Sequence, residues 1–205
     1  MTHRVAALFV QKGGTYYWMP DVDPWDVERD ATKYAGPLPV VAHPPCSRWC
    51  RLAGLVEARW GHKRGEDGGL FEFALGAVRQ WGGVLEHPAY TDAFAAFGIP
   101  SPRGLGAWQR ALCGGWVVQV EQSHFGHRAR KATWLYAYGV PSLPSLPSSE
   151  GECLISWCGN HVRSGEVRER LSKREASKSP ESFARMLVEL AASAAVSPRE
   201  AAQGG

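Results

Sequence analysis

Apolar and polar positions along the chain fall into short runs of β-formers separated by stretches with helical spacing. "RVAALFV" (residues 4–10) is short, apolar and rich enough in β-formers for a buried strand, and "LPVVA" (38–42) reads the same way. Between them, "QKGGTYYW" offers a Gly-Gly turn followed by aromatic β-formers, which suits a hairpin or a loop. "DVDPWDVERDATKYAG" predicts a helix in which Asp23 caps, Pro24 takes the first position and Gly36 ends the run. Farther on, Leu70, Phe71, Ala74, Leu75, Val78 and Trp81 share one helical face, with Gly82 and Gly83 as the stop. The strand "GGVLEHP" follows. Strand, helix and strand at this spacing form a right-handed crossover, so the two strands should lie parallel with their carboxyl ends at one edge of the sheet.

In the second half, "YTDAFAAFG" has the form of a short capped helix and "IPSPRGLG" that of a loop. "GGWVVQVEQ" and "ATWLYAY" are two more strands, joined by the basic segment "SHFGHRARK". "SPESFARMLVELAASA" predicts an amphipathic helix capped by Ser179 and opened by Pro180. No internal repeat is visible. The expected architecture is a three-layer α/β fold, a mostly parallel sheet with flanking helices. Its expected division is an α/β domain over residues 1–140, a Pro/Ser linker over 141–152, a helical extension over 153–196 and a disordered tail over 197–205.

Composition narrows this picture only a little. A chain of 205 residues, 44% of them hydrophobic, can bury one ordinary core with an extension. The net charge of +3 is too small to mark a nucleic-acid binder, so local clusters matter more than the total. Arg48, Arg51, Arg59, Lys63 and Arg64 form one such cluster, and Arg128, Arg130 and Lys131 another; either can also be a solvated face. Nine tryptophans serve as core filler or as stacking platforms for bases. Five irregularly spaced cysteines without a secretory leader point to reduced thiols and a cytoplasmic location. No apolar segment approaches the length of a membrane span.

Candidate chemistry concentrates where two strands end. In an open α/β sheet, ligands bind at the carboxyl ends of the strands, where "HPPC" and "LEHP" both emerge. Pro44 and Pro45 stiffen the turn and hold the Cys46 thiol in a defined direction. A fixed thiolate beside the Glu86 carboxyl group suits a pyrimidine: sulfur adds to C6, the acid supports charge at N3, and C5 becomes nucleophilic. Nearby arginines such as Arg48 would lower the thiol pKa and hold phosphates, and a base in a duplex would have to be flipped out. The plainer readings are a buried free thiol for Cys46 and a strand-end acid for Glu86. Cys46 with Cys50, His124 with His127, or Cys153, Cys158 and His161 could each supply part of a zinc site, but none has paired Cys-x-x-Cys spacing and no metal is assigned.

These residues carry a family resemblance. "HPPC" resembles the Pro-Pro-Cys nucleophile motif of DNA cytosine-5 methyltransferases, "VLEHP" resembles their Glu-Asn-Val segment, and "HFGHRARKATWLY" a loosened Phe-Gly…Arg…Arg motif. The three occur in the family's order between about residues 40 and 138, and the whole is most similar to short phage-encoded members. The resemblance implies a reduced methyltransferase-type Rossmann fold acting on DNA in a bacterial or phage-infected host. Cys46 would be the nucleophile, Glu86 the N3 partner and Arg130 a support for the base, with Pro44, Pro45, Arg48, Arg128 and Lys131 lining the substrate. S-adenosylmethionine would lie against Phe9, Gly13, Gly14 and Asp23. The chain departs from the pattern at His87, where the family has asparagine, at Ala132 in place of a second arginine, and at Gln11 in place of a glycine. It also lacks room for a large target-recognition domain, which leaves open another group donor or a partner subunit. A second reading, from a different class, is a catalytically degenerate module of phage origin that binds DNA or shields a base.

Overall fold

A computed structural model describes residues 3–50, 53–152, 171, 172, 175, 176 and 178–194. Among the described residues, seven strands form one sheet: β1 (Val5–Leu8), β2 (Val22–Trp25), β3 (Val40–Ala42), β4 (Gly83–Pro88), β5 (Gln109–Arg110), β6 (Trp116–Glu121) and β7 (Ala132–Tyr138), in the order β2-β1-β3-β4-β7-β6-β5. The α-helices among the described residues are α1 (Ala53–Trp60), α2 (Leu70–Trp81), α3 (Asp92–Ala96) and α4 (Glu181–Ala192).

The sheet is mixed rather than mostly parallel. β2, β1, β3 and β4 run parallel, whereas β4 with β7, β7 with β6 and β6 with β5 are antiparallel. The segment between β6 and β7, residues 122–131, is too short for a crossover helix and makes a 3-10 turn instead, so β7 must return beside β6. The crossover expected between β3 and β4 is present, with Val40 opposite Gly83 and Ala42 opposite Leu85. Gly83 is required there: its φ is +120°, and a Cβ would sit 2.0 Å from the Val40 carbonyl oxygen.

The helix expected over 21–36 does not form. Its first residues are β2, paired with β1 through Val5 and Val22, and a 3-10 turn at Ala31–Lys33 follows. β2 is an edge strand, where proline is tolerated, so Pro24 marks strand rather than helix. Asp23 caps nothing; its carboxylate takes Arg29 and the Trp25 indole. "TYYW" is likewise a 3-10 turn, Thr15–Trp18, and not half of a hairpin. At the other end, α4 begins one residue later than expected, with Pro180 at the cap position and no cap from Ser179. Neither α1 nor β5 was marked by a clear pattern.

Strand alternation divides the core between two faces. On one, Val5, Ala7, Val41, Val84 and Leu135 pack with Phe183, Leu187, Val188 and Ala191 of α4. On the other, Leu8, Ala42, Leu85, Trp134 and Tyr136 meet Phe71, Leu75 and Val78 of α2 and Phe94 of α3. Thus α4, placed by sequence in an extension, completes the main core. The stretch 141–152 has no helix or strand and lies along the body, with Trp108 Nε1 donating to the Pro144 carbonyl at 3.0 Å and His124 Nε2 lying 2.9 Å from the Ser149 carbonyl. Most of residues 153–180 and the tail 197–205 fall outside the described residues. No helix among the described residues is long and apolar enough to cross a membrane.

Because Leu187 is fully buried against the sheet, Leu187→Ala should cost about 2–5 kcal/mol in urea denaturation. A helix that merely followed the domain would give a change near zero.

Candidate active site

The carboxyl ends of β1, β3 and β4 open into one cleft of about 820 Å³. β1 delivers the segment from Phe9 to Gly14, β3 delivers His43 to Cys46, and β4 delivers Glu86. The pairing of β1 with β3 extends past the strands, because His43 N donates to the Leu8 carbonyl at 3.1 Å. The two prolines follow at once, and the chain then turns, with Trp49 N and Cys50 N both donating to the Cys46 carbonyl at 2.9 Å. The far wall is formed by Tyr16, Trp18 and the residues that lead into α4. Two hydrogen bonds hold that wall in place: Thr15 Oγ1 to the Ser179 carbonyl, and Lys131 Nζ to the Lys178 carbonyl.

Glu86 is the centre of a buried polar chain. Its Oε2 lies 2.9 Å from His43 Nδ1, and His43 Nε2 lies 2.7 Å from the Tyr16 hydroxyl. On the other side Gln122 Nε2 donates to Glu86 Oε1 at 3.4 Å and to Thr133 Oγ1 at 2.9 Å. Burial alone would raise the Glu86 pKa, but the hydrogen bond and charge of His43, helped by Lys131 and His87, hold it below the ordinary carboxylate value. The Tyr16 phenol is pushed well above its usual range by burial and then by the Glu86 charge, so it stays protonated. Burial also raises the Cys46 thiol, with Cys50 and Glu86 adding to the effect. Lys131 is lowered by burial, against the pull of Glu86 and Cys46. The resting site therefore holds a carboxylate, a neutral thiol and a nearby amine in a medium that penalises charge.

The cleft gathers many of the residues singled out by sequence: Phe9, Gly13, Gly14, Pro44, Pro45, Cys46, Glu86 and Lys131 all line it. Four do not. Arg130 lies 2.8 Å from Glu150 and 3.8 Å from Glu121, and Arg128 is 3.9 Å from Glu175. Arg48 sits in the turn after Cys46, its carbonyl accepting from Gly65 N at 2.9 Å, and Asp23 is bound to Arg29 at 2.5 Å. The arginines expected to activate the thiol are thus not on the cleft wall. His43, Tyr16 and Gln122 were not singled out by the sequence. The available signal was that His43 lies two residues past Val41, and so on the face of the sheet that Glu86 shares with Val84.

The glycines and acids considered for S-adenosylmethionine have local roles in the fold. Both glycines of the β1 loop are explained by the turn itself: Gly13 has a φ of +64°, and a Cβ on Gly14 would lie 2.9 Å from the Gln11 carbonyl oxygen. The acids that would hold a ribose are engaged elsewhere, Asp23 by Arg29 and Trp25, and Asp26 by Tyr17 and the backbone N–H groups of Glu28 and Arg29. Among the described residues, no three His, Cys, Asp or Glu side chains come together to hold a metal ion. Cys153, Cys158 and His161 lie outside the described residues.

His87, the departure from the family asparagine, points away from the cleft. It is fully buried, edge-on to Phe71 with ring centroids 5.2 Å apart. Burial lowers its pKa from 6.5 to about 4, although Glu86 and Asp67 pull the other way. The unfolded chain therefore takes up a proton below about pH 6.5 that the fold refuses until about pH 4. Stability should be fully present above pH 6.5 and fall as pH drops toward 4, by up to about 3 kcal/mol. Urea denaturation of His87→Leu across this window should give a flatter profile than the wild type. Comparison of the chain with family models, curated proteins and solved structures gives no match, so its function has to be read from the chemistry of this cleft.

Proposed function

We propose that the protein modifies pyrimidine bases in nucleic acid, with Cys46 adding to C6 of a base held in the cleft and Glu86 acting at N3. One observation carries this reading: the thiol and the buried carboxyl group, which leave different parallel strands, line the same cleft of about 820 Å³. That volume falls within the range of small-ligand sites and admits a single base with its sugar.

Cys46 loses its proton to solvent and its sulfur bonds to C6; the C5=C6 pair moves to C4=C5, and the C4=N3 pair moves to N3, which takes a proton from Glu86. C5 is then the carbon of an enamine and takes up an electrophile; N3 returns its proton to Glu86, the C5 proton passes to solvent, and its electron pair reforms C5=C6 as the sulfur leaves as thiolate. We favour DNA as the substrate, with the base turned out of the stack, in the cytoplasm of a bacterial or phage-infected host. The parallel strands with both motifs at their carboxyl ends support the methyltransferase-type reading of the fold. A donor carried by a partner subunit is consistent with the local roles of the glycines and acids considered for S-adenosylmethionine.

The base-shielding alternative draws on a specific observation too. Burial keeps the thiol neutral, and Arg128 and Arg130 lie beside carboxylates rather than on the cleft.

Addition at C6 makes the C5 hydrogen exchangeable without any donor. Incubating the protein with a cytosine-containing oligodeoxynucleotide in deuterium oxide should place deuterium at C5, read by nucleoside mass spectrometry, and Cys46→Ser should reduce this to the solvent background. Binding without exchange in the wild type would favour shielding over catalysis.

A further inference from the structure

We infer that His43, oriented by Tyr16, supplies the proton that Glu86 delivers to N3, which makes His43 a positioning residue of the reaction. The inference rests on the pyrimidine reading above and adds the source of the acid.

The geometry is a continuous line of three groups. Tyr16 OH, the His43 ring and Glu86 are joined at 2.7 Å and 2.9 Å, through opposite nitrogens of the imidazole. Each member is fixed independently. His43 precedes Pro44, which confines it to extended backbone, and its own N–H is bonded to the Leu8 carbonyl. Tyr16 is 5% exposed on its 3-10 turn, with its ring tilted 49° to the imidazole at 5.3 Å. Glu86 is held from its other oxygen by Gln122.

An acid at N3 is needed because the resting Glu86 is ionised. The titratable groups that act on Glu86 are His43 from the end of β3, Lys131 before β7, and His87 beside it on β4. Glu86 in turn acts on Tyr16 and Cys46. His43 is the one hydrogen-bonded to the carboxylate. With the imidazole neutral, the Tyr16 O–H donates to Nε2 and Nδ1–H donates to Glu86. When His43 takes a second proton at Nε2, the tyrosine hydroxyl turns and accepts. The Nδ1 proton then passes to Oε2, and the carboxyl group gives a proton to N3. His43 ends neutral, Glu86 begins and ends as a carboxylate, and only N–H and O–H bonds are made or broken. Tyr16 stays protonated throughout and fixes which ring nitrogen faces Glu86.

The test is the pH profile of C5 deuterium exchange into the same oligodeoxynucleotide. Wild type should give a bell, with a rising arm set by ionisation of Cys46 and a falling arm that requires the His43 ring. His43→Gln should be slower by about 10- to 100-fold near neutral pH, and it should lose the falling arm while binding the oligonucleotide as well as wild type does. Tyr16→Phe, which removes one hydroxyl and keeps the buried ring, should slow exchange less and keep both arms. Wild-type exchange with unchanged rate and profile in both variants would overturn the inference and leave the pyrimidine reading standing. If His43→Gln fails to fold, Tyr16→Phe decides, and an unchanged rate and profile there overturns the relay. Absence of exchange in the wild type would remove the pyrimidine reading itself and the inference with it.

Discussion

Parallel pairing of β1, β3 and β4 is the constraint on which the rest of the structure depends. Strands that run the same way end at the same edge, so three loops from distant parts of the chain open into one cleft. Had β4 paired antiparallel with β3, Glu86 would lie at the opposite rim from Cys46. The pairing in turn requires the close approach of Gly83 to Val40, which no residue with a side chain permits. Covalent geometry at one glycine thus reaches the placement of the carboxylate three residues later.

The same cleft shows how a low dielectric divides its groups. Burial acts on Cys46, Lys131, Tyr16 and Glu86 alike, each time against the charged form. Glu86 overcomes it, because the hydrogen bond and charge of His43 at 2.9 Å, with Lys131 and His87, favour its charged form. The thiol has no comparable compensation and remains neutral. Within the buried part of the cleft the carboxylate of Glu86 is thus held ionised while the thiol beside it is held neutral.

Much of this was legible in the chain. The apolar runs gave β1, β3 and β4, the helical spacing gave α2, and the crossover rule placed "HPPC" and "LEHP" at one rim. Failures came where tertiary context overrides local signals. Asp-Pro at residues 23 and 24 is a good helix start in isolation, yet β1 needs a neighbour and an edge strand can accommodate proline. Arg128 and Arg130 look available in a basic run, but Glu175, Glu121 and Glu150 are brought to them only by folding. His43 was hidden because its importance lies in two contacts, Tyr16 and Glu86, on elements far from it in sequence.

The packing of α4 ties the cleft to the order in which the chain is made. The thiol, carboxyl and glycine-loop residues all belong to the first two-thirds of the sequence, but the face of the sheet behind them is covered by Phe183, Leu187 and Val188. Ser179 and Glu181, at the start of that helix, also line the cleft. As the chain is made, these residues precede α4, and the apolar face stays uncovered until that helix docks. The wall of the cleft that includes Ser179 and Glu181 is likewise incomplete until α4 has docked.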